Sequence, residues 1–354
     1  MSMFWSDTAR NISPYIPGEQ PRDRKYIKLN TNENPYPPSP KVLEAITRET
    51  CGDLRLYPDP EASSVKNAVS DYYRIHPDEV FVGNGSDEVL ALCFPAFFNR
   101  GDMISFPEIT YSFYPVFANL FGVCYQAVPL NEDFTVNLDE FPAHAKGILI
   151  ANPNAPTGIA AGLDEIENFL KKNRDKLIII DEAYVDFGAE SAVPLIEDYE
   201  NLLIIQTFSK SRALAGLRIG FALGNVNLIE ALNRVKNSFN SYTVDRIAQA
   251  AAVAAIKDKD YFNEICGKII RTRETTAHKL VSLGFKVLPS SANFLFVSHD
   301  KISGGELFLK LKADGILVRH FDTKGIENFI RISVGTDEEM DILVERLACY
   351  INGG

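Results

Sequence analysis

The sequence is poor in the residues that build disulfide-stapled or metal-bound scaffolds. Its five cysteines (Cys51, Cys93, Cys124, Cys266, Cys349) are an odd number with no paired metal spacing. That excludes a disulfide framework or zinc module and fits free thiols in a reducing, cytoplasmic compartment. No apolar run reaches the ~18 residues needed to span a bilayer. The opening Met1-Ser2-Met3-Phe4-Trp5-Ser6-Asp7 lacks the basic, then apolar, then small-residue order of a secretory signal. Positive charge is short as well, with 36 Lys and Arg against 47 Asp and Glu and a net of −11. This balance argues against non-specific nucleic-acid binding and against a polybasic membrane surface. A dinucleotide fingerprint is missing too, because Gly83-x-Gly85-x-x-Glu88 has no third glycine and no acidic ribose ligand at the right distance.

What is present is a chain of 354 residues, 46% apolar, too long for a typical single domain and rich enough for packed cores. Residues 1–28 read as an arm of Pro and polar residues. From 29 to 245 short apolar strands alternate with helical stretches, the pattern of a mostly parallel sheet in an α/β domain. Near Tyr242 the pattern changes to an alanine-rich helix (Ile247 to Ile256), a longer helix (Tyr261 to Leu283) and then further strands. A smaller domain is therefore predicted over 246–354.

Four stretches carry chemistry. After the apolar strand Asn201 to Ile205 comes Ser209-Lys210-Ser211-Arg212-Ala213-Leu214-Ala215-Gly216-Leu217-Arg218. A lysine among small and apolar residues is favoured in its neutral, nucleophilic form, and Ser209 and Arg218 supply a hydroxyl and a cation suited to a phosphate. Upstream, the apolar run Leu177 to Ile180 ends in Asp181-Glu182-Ala183-Tyr184. Asp181 then stands at a strand's carboxyl end, where open α/β sheets bind ligands, although an N-cap or loop carboxylate would look the same. The 29 positions from Asp181 to Lys210 leave room for a helix and the next strand, so the two can meet on adjacent strand ends. Glu79 to Gly83, a turn, and an apolar helix from Val89 put Gly85, Ser86 and Asp87 at a helix start, an anion site or an ordinary strand-to-helix turn. Last, Ile148 to Ala151 runs into Asn152-Pro153-Asn154-Ala155-Pro156-Thr157-Gly158.

These four motifs, in this order, resemble the fold-type I aminotransferases that use pyridoxal 5'-phosphate (PLP). The resemblance implies a large domain with a mostly parallel seven-stranded sheet and a smaller α/β C-terminal domain. It implies that Lys210 carries PLP covalently and acts as general base, that Asp181 pairs with the ring nitrogen, and that Gly85, Ser86, Asp87, Ser209 and Arg218 hold the phosphate. Tyr111 would stack on the ring, and Tyr184 would bond the ring oxygen. In the family an asparagine directly before the second proline of the Asn-Pro turn makes that bond too; here the position is Ala155. The bond must come from Asn154 or Asn152, or from Tyr184 alone.

Leu29-Asn30-Thr31-Asn32-Glu33-Asn34-Pro35 and Arg55-Leu56-Tyr57-Pro58-Asp59-Pro60 are similar to the opening segments of histidinol-phosphate aminotransferases. In that family the residue matching Tyr57 reaches the partner's cofactor phosphate, so a homodimer with Tyr57 acting in trans is implied. Arg319 and Arg331 each interrupt an apolar strand, a costly placement unless an ion pair or anionic substrate compensates. By resemblance Arg331 receives the carboxylate of glutamate or 2-oxoglutarate, and Arg319 with Tyr15 grips a substrate phosphate. Two other readings share the fold or the cofactor: an aromatic amino-acid aminotransferase or PLP-dependent lyase, and a PLP-binding regulator fused to a DNA-binding module. The regulator is disfavoured because no spare basic domain stands at either end.

Overall fold

Ile148 to Ile150, Ile178 to Ile180 and Leu202 to Ile205 are all aliphatic, and the computed structural model, which describes residues 3–353, buries them in the middle of a seven-stranded sheet. Its strands are β1 (Val80–Gly83), β2 (Met103–Pro107), β3 (Cys124–Val128), β4 (Gly147–Ala151), β5 (Leu177–Asp181), β6 (Leu202–Thr207) and β7 (Gly220–Gly224). Their order is β1-β7-β6-β5-β4-β2-β3. Every pairing is parallel except those of β7, which runs against both of its neighbours.

Alternation along the strands divides two cores. Ile148, Ile178, Ile180 and Ile204 face one, and Leu149, Ile179, Leu203 and Ile205 face the other. A sheet covered on both faces needs apolar residues at every position, which is why these strands carry no polar alternation. The carboxyl ends of β5 and β6 lie side by side, with Asp181 opposite Ile205. The connection between them differs from the expected helix: it holds only two short 3₁₀ turns, Val185–Phe187 and Val193–Leu195. Gly188, at φ +122°, and Pro194 interrupt any longer helix there.

A second sheet is antiparallel, in the order β10-β11-β9-β8, built from β8 (Lys286–Val287), β9 (Phe294–Ser298), β10 (Arg319–His320) and β11 (Phe329–Ser333). It packs a third core with the C-terminal helix Asp337–Asn352. Residues Ile27 and Lys28 pair in parallel with Ile316 and Leu317, and the Leu29 carbonyl accepts from Ser333 N at 2.9 Å. The N-terminal segment thus runs along the smaller sheet before residues 30–34 cross to the rim of the large one. The alanine-rich helix Arg246–Lys257, grouped by sequence with the smaller unit, buries Ala248, Ala251 and Ala252 in a core of the large sheet. Among the described residues no helix is long and apolar enough to cross a membrane.

Candidate active site

The carboxyl edge of the large sheet and the face of the small one flank a cleft that opens to solvent. Asp181, the last residue of β5, is buried and accepts from Ala183 N and Tyr114 Oη, each at 3.1 Å. Burial pushes its pKa up to about 6; the two hydrogen bonds oppose that shift, the Asp87 charge adds to it, and Lys210 opposes it. Its neighbour Glu182 points to the other side of the strand. There it accepts from Ser191 Oγ at 2.6 Å, Ala192 N at 2.7 Å and Gln206 Nε2 at 2.8 Å. Glu182 follows directly on the strand and continues its alternation, so only one carboxylate of the pair meets the cleft.

Lys210 lies three residues beyond β6. Its Nζ donates to the Thr31 carbonyl at 3.2 Å and sits 5.7 Å from the centroid of the Tyr184 ring. Asn34 Nδ2 donates to the Lys210 carbonyl at 3.0 Å, and Ser211 Oγ donates to Asp186. The lysine's backbone is therefore held on both sides. The Tyr184 hydroxyl accepts from Asn32 Nδ2 at 3.0 Å.

The helix Gly85–Phe97 begins directly behind this point, offering the unpaired N–H groups of its first turn. Gly85 has φ +80°, and a Cβ there would fall 2.6 Å from Arg218 Nη2. A Cβ on Gly220 would fall 2.4 Å from Ser86 N. Glycine at both places lets Arg218 and β7 press against the helix start. Arg218 Nη2 pairs with Asp87 Oδ2 at 3.1 Å and its Nη1 reaches Ser209 Oγ at 3.4 Å. The Tyr111 hydroxyl donates to Asp87 Oδ1 at 2.7 Å.

Across the cleft Arg319 and Arg331 stand directly opposite each other on β10 and β11. Like charges so placed repel. Neither forms an ion pair among the described residues: Arg331 Nη2 donates to the Asn30 carbonyl at 3.2 Å, and Arg319 Nη2 to the Ile16 carbonyl at 3.4 Å. Arg331 Nε is buried with no partner. Burial draws the Arg331 pKa below the ordinary guanidinium value, the phenols of Tyr184 and Tyr15 oppose that, and Arg319 adds to it. Tyr15 closes the cleft from the N-terminal side, its ring stacked 4.3 Å from Phe113.

Of the residues singled out from sequence, Tyr15, Ser86, Asp87, Tyr111, Asp181, Tyr184, Ser209, Lys210, Arg218, Arg319 and Arg331 all line this one cleft. Gly85 stands behind it, against Arg218. Asn154 does not line it. Its Oδ1 accepts from Thr110 Oγ1 at 2.8 Å, and its Nδ2 donates to the Ile109 carbonyl at 3.0 Å and Thr157 Oγ1 at 3.2 Å. The Asn152 amide is likewise committed, to the backbone of Ala161. Both asparagines brace the proline turn, and of residues 152–158 Ala155 alone lines the cleft. Tyr57 also stays outside: it is 78% exposed and stacks on Tyr242 with ring centroids 4.5 Å apart. Asn32, Asn34, Thr31 and Tyr114 were not singled out by role. The first three belong to the Leu29 to Pro35 segment, whose polar spacing was the available signal. Tyr114 lies in an aromatic run that gives none.

The donor set tests what the cleft can hold. An aldehyde suits Lys210, a basic ring nitrogen suits the buried carboxylate of Asp181, and a phosphate suits Ser86, Ser209, Arg218 and the helix start, so the residues fit PLP. A second anion suits the arginine pair and the partnerless Arg331 Nε.

The family model for aminotransferase class I and II matches residues 24–347. A histidinol-phosphate aminotransferase of Clostridium botulinum (strain Okra / Type B1) is 52% identical over 352 residues, covering 99% of each chain. One from Clostridium beijerinckii is 54% identical over 347 residues, covering 98% of this chain and 97% of the relative. Among solved structures, the histidinol-phosphate aminotransferase of Sinorhizobium meliloti in complex with pyridoxal-5'-phosphate superposes with a TM-score of 0.86 at 29% identity, covering 93% of this chain and 92% of the other.

Proposed function

The chain belongs to the class I and II aminotransferases, and from that premise we propose that it transfers the amino group of L-histidinol phosphate to 2-oxoglutarate, giving imidazole-acetol phosphate and glutamate in histidine biosynthesis. The observation that carries this reading is the second anion site. Ser86, Ser209 and Arg218 serve the cofactor phosphate, and Arg331, Arg319 and Tyr15 remain for the substrate. A single carboxylate clamp needs one arginine. Two arginines opposite each other without a carboxylate partner fit a dianionic phosphate in one half-reaction and a carboxylate in the other.

PLP, when bound, supplies an electron sink for the carbon that loses its proton. Lys210 would hold it, with Asp181 at the ring nitrogen, Tyr111 on the ring face and Tyr184 at the ring oxygen. Lys210 Nζ is the group placed to take the substrate's proton and return one, and its contact with the Thr31 carbonyl aims it into the cleft. Arg331 would take the 2-oxo acid's carboxylate as a bidentate pair. Arg319 and Tyr15 would orient the phosphate.

The working unit in this reading is a cytoplasmic homodimer, with Tyr57 completing the partner's phosphate site. Its 78% exposure in one chain supports that role. Mixing Lys210→Ala and Tyr57→Phe chains tests it. A hybrid with one intact site should exceed both parents, and no gain despite confirmed subunit exchange would remove the shared site.

Specificity constants for L-histidinol phosphate, histidinol and phenylalanine test the substrate, with histidinol phosphate expected to lead. Equal values for the phosphorylated and unphosphorylated amines, or phenylalanine outperforming both, would replace the assignment with an aromatic amino-acid aminotransferase.

A further inference from the structure

Every polar group of Asn32 is engaged. Its N–H donates to Ser333 Oγ at 2.8 Å, its carbonyl accepts from Asn293 Nδ2 at 3.0 Å, its Oδ1 accepts from Ser333 Oγ at 3.0 Å, and its Nδ2 donates to the Tyr184 hydroxyl at 3.0 Å. The residue is buried and its backbone lies in the left-handed region at φ +55°, which asparagine tolerates better than most side chains. Such a conformation persists where its surroundings over-determine it. Here the surroundings are strand β11, two residues beyond Arg331.

The direction of the last bond matters. An amide nitrogen only donates, so at that contact the Tyr184 oxygen is the acceptor and its own proton must point elsewhere. Ser333 fixes which way the amide faces, because its hydroxyl accepts from Asn32 N and gives its proton to Asn32 Oδ1. Tyr184 packs against the cluster of Ala155, Ala292 and Phe294; the Ala155 methyl group offers no donor, and the amides of Asn152 and Asn154 are committed elsewhere. On that wall of the cleft the Tyr184 O–H is left to point inward.

We propose that Asn32 is a positioning residue: by donating to Tyr184 it turns the phenol's proton into the cleft, toward the cofactor's ring oxygen, on the wall where Ala155 supplies no donor. The proposal rests on the aminotransferase reading and assigns to a tyrosine and asparagine in series what a side-chain amide at position 155 would otherwise provide.

The test is the pH titration of the visible band of the lysine-linked cofactor in purified holoenzyme without substrate. A donor to the ring oxygen draws electron density from it and so weakens its hold on the proton of the neighbouring lysine linkage. Losing the donor should raise the pH midpoint of the band. Asn32→Gly keeps the left-handed backbone and removes the amide. Asn32→Asp keeps the shape but accepts the Tyr184 proton and pulls it out of the cleft. A rise of about one pH unit is expected for the Gly variant, the equivalent of one net hydrogen bond, and a larger one for Asp. Tyr184→Phe should raise the midpoint at least as far, and adding Asn32→Gly to it should raise it no further. Ala155→Asn in the Asn32→Gly background should return at least half of the shift. An Asn32→Asp midpoint equal to wild type, or shifts of Asn32→Gly and Tyr184→Phe that simply add, would overturn the proposal even if melting temperatures fall. A wild-type protein with no borohydride-reducible visible band would instead overturn the aminotransferase reading, and this proposal with it.

Discussion

The two arginine sites that face each other across the cleft are built on opposite electrostatic plans. At the large sheet Arg218 is already matched by Asp87, and the remaining donors there are neutral hydroxyls and the start of a helix. At the small sheet Arg319 and Arg331 oppose each other with no carboxylate partner among the described residues, where one buried guanidinium nitrogen likewise finds no hydrogen-bond partner. A group that stays through every turnover is held well by many short, directional donors and a small net charge. A group that must leave each time needs a site whose charge is complete only when it is occupied. On the proposed reading the large-sheet site suits a resident anion and the small-sheet site an exchanging one, and substitutions on each side should behave accordingly.

The largest effect is expected on the resident side. Lys210→Ala should abolish turnover and leave no cofactor attached by borohydride reduction, as read by peptide mass. Attachment at another lysine would break the assignment of the two sides.

On the exchanging side, Arg331→Ala should lower the specificity constant for 2-oxoglutarate by about 10²- to 10⁴-fold, the loss of two charge-assisted hydrogen bonds. Because no carboxylate pairs with Arg331, its removal strands no charge. The cofactor-free protein should therefore melt no lower than wild type. Arg218→Ala is the contrast, since it strips Asp87 of its cation and leaves it only the Tyr111 hydroxyl; it should lower the melting temperature of the cofactor-free protein and weaken cofactor binding measured by equilibrium dialysis. If Arg331→Ala destabilised the fold as much as Arg218→Ala, the distinction between the sites would fail.

A smaller effect is expected for Arg319→Ala, about ten- to a hundredfold in the preference for histidinol phosphate over histidinol, since one charge-assisted bond of roughly 1.5 to 3 kcal/mol is lost. A preference unchanged by this substitution would assign the phosphate to another residue.

The smallest is a pH effect on the resident side. Asp181 has its pKa raised by burial to about 6 in the folded chain, above the ordinary carboxyl value. Its stabilising contribution to the cofactor-free protein is full below that ordinary value and is lost as pH rises through about 6. Wild type should lose about 2 to 3 kcal/mol between pH 4 and pH 8 that Asp181→Asn retains, measured by urea unfolding of both proteins without cofactor. Glu182, also raised, titrates in both and cancels. Identical pH slopes would mean that the Asp181 carboxyl is not isolated from solvent as its burial implies.

The same division explains what was legible before the fold was known. Aliphatic runs with no polar alternation specify strands covered on both faces, because only such strands need apolar side chains at every position. Lys210 and Asp181 could be found from strand ends, where local order alone carries a side chain to the ligand-binding rim. Gly85 could be read as a residue of a strand-to-helix turn, but Gly220 opens β7, and the close approach to Arg218 and Ser86 that requires the two glycines joins positions more than 130 residues apart.

The strand order, the two cores and the meeting of both sheets over one cleft came from pairing between distant segments. So did the fate of the asparagines. Asn154 has the right chemistry for the ring oxygen, but its amide is spent on Thr110, Ile109 and Thr157. Asn32, noted only as part of a segment, reaches Tyr184 because Ser333 and Asn293 hold it there. An amide's partners depend on which backbones arrive within about 3 Å of it, and residue order does not specify that. By itself the sequence determined the aliphatic strands, the placement of Asp181 and Lys210 at or just beyond strand ends and the surplus of arginine. The tertiary structure alone decided which polar side chains face the cleft and which are consumed in building it, because hydrogen bonds are short and directional and their partners here come from every part of the chain.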